Sequence, residues 1–443
     1  MTVLIFNSLL YVLTGLWFKK NYGMIPFTFL WFFYAFFSIF GVLIVWNNLY
    51  FEAFGISNST PLDIEPYIYN YYCMLALSFP LRRLTGNELT FQYNSLPTNF
   101  GKYAKLVLFL FIVVILWRLF ELSLYGNMGF LERHRMITEE GNGISLSDTS
   151  KLLGTIAAFT LKLYQVFYPW ALFFIFFGIT SYRLPSGKAL MIFAITLSPY
   201  LIGYYISGNR SGMFFILFNL AFFYYLFKPL ISKQLNRKIF YACCFLGATL
   251  LSFSWEISQE RFENDTNGSI LRYFGEVFPN LGYQYWDKVT NITYGARQFT
   301  SYFSIFFDFN SSIYSGFNER YNYWSAITGV DTALFKTIFG DLYIEFGTIG
   351  ALVFVTVLSF ILERFTKTHT LSFYNMPLFY YYFAFCTNMI FDFSTLYSSF
   401  NFLQVVIIIV VLGLYSKKHK LFSTVSHHFS VRSFKRFIRQ MHR

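Results

Sequence analysis

The sequence predicts an all-α polytopic membrane protein, with about eleven transmembrane helices and one large outer loop, periplasmic or extracellular. Composition is the first observation behind this. Of 443 residues, 56% are hydrophobic and only 13% charged, with a mean hydropathy of +0.46. A soluble domain averages about 25% charged residues, so this chain lacks the charge to coat a water-facing surface. The second observation is a series of apolar runs approaching the roughly 20 residues that cross a hydrocarbon core of about 30 Å. The third is that lysine and arginine gather in alternate connections between those runs.

The runs follow in order. Residues 2–18 stop at Lys19 and Lys20, and 25–46 continue without a charge to Trp46. Residues 68–81 are short and tyrosine-rich, so this run spans or lies in the interface, and an interfacial placement would invert everything before it. Run 104–124 carries Arg118 and Glu121, and 152–180 carries Lys162. Runs 189–207 and 213–227 are joined by the tight turn SGNRSG, and 239–254 precedes the longest connection, 255–336. Run 337–362 opens with Asp341 and Glu345, while 376–391 and 402–415 lead to a basic tail. With that tail inside, the cytoplasmic pieces hold 22 of the 34 lysines and arginines but only Glu88 and Glu363 of the 22 acids. The positive-inside rule is then satisfied throughout, with the N-terminus outside. Residues 1–415 read as a single transmembrane domain that includes the outer loop 255–336, and 416–443 as a basic cytoplasmic tail.

Several function classes drop out. The net charge of +12 sits mostly in the tail and inner loops, where it suits anionic lipid. No nucleic-acid motif accompanies it. Cys73, Cys243, Cys244 and Cys386 all lie in apolar runs and show neither disulfide nor metal spacing. The first run lacks a basic segment before it and is followed by two lysines, so it is expected to remain as a helix. Aromatic residues make up 23% of the chain. Interfacial belts account for most of them. Tyr283, Tyr285 and Trp286 in the outer loop are the subset whose rings suit stacking on sugar.

Ionisable groups within a bilayer are costly and usually functional. Here Arg118, Glu121, Lys162, Asp341, Glu345 and Asp392 all fall toward the outer side, which points to a polar cavity opening outward. Four segments carry candidate chemistry. In the turn SGNRSG at 207–212, Gly208 and Gly212 let backbone approach a ligand, and Arg210 offers the planar fork that suits a diphosphate. In ILRYFGEVFPNLGYQYW at 270–286, Leu271, Phe274, Phe278, Leu281 and Tyr285 recur at near-helical spacing, as in an interrupted amphipathic segment on the membrane surface. Arg272 and Glu276 share a face there, either as partners of each other or as ligands. In GDLYIEFGTIGALV at 340–353, Asp341 and Glu345 are four apart and face one way. A partly desolvated carboxylate at that position is a candidate base, and the alternative is dipole stabilisation at a helix start. In LERHRMITEEG at 131–141, Arg133, His134 and Arg135 form a cationic patch. Asp63 with Glu65, and Glu263 with Asp265, are acidic pairs without further ligands, so neither metal nor other cofactor is expected.

SGNRSG in a short outer turn, RYFGE in a large outer loop and GDLYIEFG opening a late span, taken in that order, resemble the bacterial O-antigen or oligosaccharide repeat-unit polymerases, the Wzy-type family. The likeness covers most of the chain in architecture and three short stretches in motif. It implies an inverting glycosyl transfer at the outer leaflet of the bacterial inner membrane. Nascent glycan on undecaprenyl pyrophosphate would pass to a hydroxyl of an incoming lipid-linked repeat unit. By that resemblance Arg210 binds pyrophosphate, helped by Arg272, Arg297 or the Arg133 and Arg135 pair. Asp341 or Glu345 is the base, and His134 the runner-up. The implied partners are the lipid-linked oligosaccharide, membrane lipids, a flippase and a chain-length regulator, and no nucleic acid. Two rivals share the inventory: a ligase moving finished glycan to another lipid, and a transporter of lipid-linked sugar. A transporter is expected to show paired repeats and helices broken near the midplane.

Overall fold

A computed structural model describes residues 1–83, 90–91, 100–125, 128–129, 132, 151–181, 185–207, 210–261, 266–298, 317–366, 370–371 and 376–390. In chain order the helices are α1 (Thr2–Tyr22), α2 (Pro26–Trp46), α3 (Leu49–Phe54) and α4 (Glu65–Ser78), the last continued by a 3-10 turn at Phe79–Arg83. Then come α5 (Phe100–Tyr125), α6 (Lys151–Ser181), α7 (Ser186–Ser207), α8 (Arg210–Phe227) and α9 (Lys233–Arg261). The long connection contains α10 (Thr266–Gly275), α11 (Val277–Asn280), a π-turn at Leu281–Tyr285 and α12 (Phe317–Thr328), followed by α13 (Thr337–Thr366) and α14 (Met376–Asn388). Only two residue pairs form a ladder among the described residues, Thr90 with Thr370 and Phe91 with Leu371.

The chain is a helical membrane protein. Among the described residues, six helices are long and apolar enough to cross: α1, α2, α13 and stretches of α5, α6 and α7. The runs expected at 68–81, 213–227, 239–254 and 376–391 fall in α4, α8, α9 and α14, which are helical but not among those six. Residues 402–415 and the basic tail lie outside the described residues.

The chain gathers into two compact units. The first comprises Met1–Thr85, Phe262–Thr368 and Tyr382–Val406, and the second Gly86–Arg261, His369–Tyr381 and Ile407–Arg443. In the first, α1 ends where Gly23, at φ 73, returns its N–H to Lys19 O, with two lysines in the last turn. Pro26 at the first position starts α2. The two helices pack antiparallel, with Asn7 and Ser8 both bonded to Ser38 across the pair, as polar side chains do between membrane helices.

Helix α4 contacts α13 on both sides of Gly347. Tyr69 Oη donates to Phe339 O (2.9 Å) near the start, Ser359 Oγ to Ala76 O (2.6 Å) further on, and Arg82 and Arg83 pair with Glu363 at the far end. Fourteen α-helical and five 3-10 residues reach roughly 31 Å. Glu363, an acid among the basic connections, is thus the partner of two arginines. The unit collects Arg82, Arg83 and Arg364 at one end of α13 and Lys336, Asp341 and Glu345 toward the other.

The segment 270–286 does not lie on a membrane surface as one amphipathic helix. It is divided into α10, α11 and the π-turn and is packed inside the first unit. Phe274 sits among Phe36, Phe37 and Phe40, each 5.7 Å away by ring centroid. Phe278 meets Tyr11 of α1 at 5.4 Å, and its carbonyl accepts from Tyr67 Oη. The apolar periodicity was real, but it matched a protein surface rather than lipid. The glycines explain the close fit: a Cβ on Gly275 would sit 2.5 Å from Phe40 O, and one on Gly282 would sit 2.6 Å from Leu62 Cδ1. Asn280 then ties the segment in, accepting from Tyr50 Oη (2.9 Å) and donating to Phe335 O (2.8 Å).

In the second unit, aromatic packing dominates. Tyr164 Oη donates to Thr196 O (2.9 Å), joining α6 to α7, and Phe173 and Phe176 of α6 meet Phe227 of α8 at 5.6 and 6.0 Å. Phe240, Tyr241 and Phe245 of α9 are exposed, as suits a face toward lipid.

Candidate functional site

The site is built at the start of α13, where the chain emerges from the long connection. Thr337 has a left-handed backbone (φ 61), which is unusual for a β-branched residue. Its hydroxyl donates to Asn70 Oδ1 (2.8 Å) and accepts from Gly340 N (3.2 Å), capping the new helix. One turn on, Asp341 and Glu345 project from the same face. At Gly347 the helix breaks (φ 65, ψ −178). A break frees carbonyls that no water satisfies in a membrane. They are met by the connection instead: Thr293 N donates to Ile344 O (3.1 Å) and Tyr294 N to Glu345 O (2.7 Å). To present those amides, Tyr294 and Gly295 both adopt positive φ (51 and 86). Such strain gathers where the surroundings over-determine it, commonly at functional sites.

The same stem delivers a cation. Arg297 Nη2 donates to Asp341 Oδ1 at 2.5 Å and Nε to Glu345 Oε1 at 2.9 Å, so one guanidinium bridges both carboxylates. Thr293 Oγ1 donates to Glu345 Oε2. Lys336 Nζ lies 3.4 Å from Asp341 Oδ1, held by the carbonyls of Thr332 (2.7 Å) and Leu334 (3.0 Å) and over the ring of Tyr285. Asp341 and Glu345 are 0% exposed, and Arg297 and Lys336 are buried with them. Among the described residues, two cations and two carboxylates balance in this group. That balance lets it survive burial, because removing one partner of a buried pair leaves an uncompensated charge. The carboxylates therefore face a closed, packed interior in this state, not the open cavity expected from the position of the charges.

The other expected residues are distributed. Arg272 lies 5.7 Å from the ring of Phe54, and its buried Nε has no hydrogen-bond partner among the described residues. Glu276 N donates to Arg272 O (2.8 Å), so the two share one helical turn. Tyr283 packs against Tyr50 and Phe51 at 5.5 and 5.6 Å. Trp286 stacks on Tyr343 at 4.7 Å and meets Tyr69 at 5.5 Å. Both rings are thus engaged by rings of the chain itself. Arg210 is the first residue of α8, just beyond the end of α7, and belongs to the second unit. Arg133, His134 and Arg135 lie outside the described residues, as does the acidic pair Glu263 and Asp265. Two members of the cluster escaped the sequence reading. Lys336 had a signal, a lysine immediately before a membrane-length run, whereas Thr293 had none. No protein-family model, curated protein or solved structure matches the chain.

Proposed function

We propose that this chain polymerises lipid-linked oligosaccharide repeat units at the outer leaflet of a bacterial inner membrane. The supporting observation is the buried Arg297–Asp341–Glu345–Lys336 cluster, assembled on strained backbone where the long connection meets a broken membrane helix. The reaction needs a base for the acceptor hydroxyl and cations for the departing pyrophosphate. Of the two carboxylates, Glu345 suits the base. Its Oε2 is held by a neutral hydroxyl, that of Thr293, and an acceptor sugar hydroxyl can replace it like for like. Asp341, bound by both Arg297 and Lys336, holds the cluster together, and Arg297 is assigned to positioning the carboxylates. Once the acceptor hydroxyl takes the place of Thr293 Oγ1 at Glu345 Oε2, the acceptor oxygen attacks the anomeric carbon. The bond to pyrophosphate breaks, undecaprenyl pyrophosphate leaves, and the proton passes to Glu345. The departing pyrophosphate needs cations, the part that the resemblance gives Arg210, Arg272 and the Arg133 and Arg135 patch. The basic residues at the far end of α13 support an outward-facing cluster under the positive-inside rule.

One observation favours a second reading. Gly347 lies about 15 Å along a helix that needs about 30 Å to cross, and midplane helix breaks beside charges are typical of transporters. The two readings separate in cells that make the polymer. Under the polymerase reading, Glu345→Gln abolishes long chains while the single repeat unit accumulates on lipid outside, and Thr293→Val retains polymer. Accumulation of that unit on the cytoplasmic side instead would reject polymerisation in favour of transport.

A further inference from the structure

The second unit holds a charge pair that the cluster around Asp341 does not use. Arg118 Nη1 donates to Glu121 Oε2 at 2.6 Å on α5, with 26% and 18% of the two side chains exposed. An arginine well inside an apolar helix costs about 2.5–3.5 kcal/mol when it faces lipid, and this one turns onto α7 instead. It lies over Gly203: a Cβ there would sit 3.1 Å from the guanidinium carbon and 3.2 Å from Nε and Nη2. The missing side chain is what admits the guanidinium. Its Nε is buried and bonded to nothing among the described residues.

Around this pair stands a run of tyrosines. Tyr200 and Tyr204, one turn apart on α7 and flanking Gly203, stack in parallel at 5.6 Å, and the charge of Arg118 acts on both hydroxyls. Behind them Tyr168 and Tyr164 of α6 meet Tyr200 at 4.7 and 5.0 Å. Tyr164 Oη donates to Thr196 O, and the fully buried Tyr168 hydroxyl has Asn219 as its polar neighbour.

Two ligand chemistries would meet an arginine here, and the geometry separates them. A phosphate needs uncompensated positive charge, and Glu121 at 2.6 Å neutralises Arg118 and repels an anion. A sugar ring needs donors and acceptors side by side for vicinal hydroxyls, with aromatic carbon for its C–H face. An Arg–Glu pair beside stacked tyrosines supplies all three. We propose that Arg118, Glu121, Tyr200 and Tyr204 form a binding subsite for a neutral sugar residue. It rests on the polymerase reading for the identity of the glycan that fills it.

The test uses the full-length protein in nanodiscs. The probes are the free oligosaccharide released by mild acid from the host's lipid-linked repeat unit and, separately, inorganic pyrophosphate. Glu121→Gln and Tyr204→Leu are expected to weaken oligosaccharide binding about tenfold, the loss of one charge-assisted hydrogen bond or one ring contact, and to leave pyrophosphate binding unchanged. Gly203→Ala, which keeps every charge but displaces the guanidinium, should do the same. Thermal midpoints within a few degrees of wild type verify folding. Oligosaccharide binding equal to wild type in all three variants overturns the subsite and leaves the polymerase reading intact. Tighter pyrophosphate binding by Glu121→Gln overturns it in favour of an anion site. A wild-type protein that binds no oligosaccharide overturns both.

Discussion

Replacing Arg297 with methionine isolates what the buried cluster contributes. The change keeps most of the side-chain volume but removes the donors to Asp341 Oδ1 and Glu345 Oε1. Two fully buried carboxylates one turn apart are then left with Lys336, 3.4 Å from Asp341 alone, and the hydroxyl of Thr293 on Glu345. Breaking a buried pair by removing one partner costs about 3–5 kcal/mol. The single variant should therefore lose about 3–5 kcal/mol in a reversible SDS titration of the purified protein in mixed micelles. The quadruple variant Arg297→Met, Lys336→Met, Asp341→Asn, Glu345→Gln removes all four charges together. It should recover to within about 1–2 kcal/mol of wild type, because neutral replacement of a buried ionic group is often close to neutral in stability. A single-variant loss below about 1 kcal/mol would mean that water reaches the carboxylates, since exposed pairs are worth no more than that. A quadruple variant as unstable as the single one would refute the electrostatic account.

Two glycines separate steric from conformational constraint in the same assay. Gly275→Ala drives a Cβ to 2.5 Å from Phe40 O, a backbone atom, and should cost about 1–3 kcal/mol or more as overpacking. Gly347→Ala meets only Ile292 Cγ2 at 3.9 Å, so its cost is the left-handed backbone alone, about 1–2 kcal/mol. Equal and negligible losses at both positions would contradict the helix crossing at α2 and the break in α13. Arg210→Ala should abolish polymer in cells without lowering protein level, and Arg210→Lys nearly as fully, because a point charge does not replace a bidentate fork. Normal chain length in the lysine variant would argue against bidentate pyrophosphate binding. Glu363→Gln should weaken the contact of α13 with Arg82 and Arg83 by about 1 kcal/mol, as befits partly exposed charges, and leave polymer length unchanged; loss of polymer would give that end of the molecule a part in the reaction.

The helical membrane class was legible because composition and apolar run length act through the bilayer alone. So was the shared face of Asp341 and Glu345, which local helix geometry determines. Their partner was not. Arg297 lies 44 residues before Asp341, and only tertiary folding selects it from the other arginines of the connection. The break at Gly347 was hidden because FGTIG reads as ordinary apolar helix, and the amides that make the break tolerable come from Thr293 and Tyr294. The burial of 270–286 was misread for a related reason. Periodicity reports that one face is apolar, while Gly275 and Gly282, which looked like interruptions, are the contacts that bury the rest.

The most direct measurement is reconstitution of the purified protein in liposomes with a synthetic undecaprenyl-pyrophosphate-linked repeat unit, reading product length on a gel, with wild type beside Glu345→Gln. The predicted result is a ladder of products from wild type, unchanged by chelator, and no ladder from Glu345→Gln although it still binds the lipid-linked unit. A ladder of equal length from Glu345→Gln would remove Glu345 as the base. No ladder from wild type, with the lipid-linked unit moved across the bilayer instead, would contradict polymerisation and assign the broken helix and its charges to a transport path.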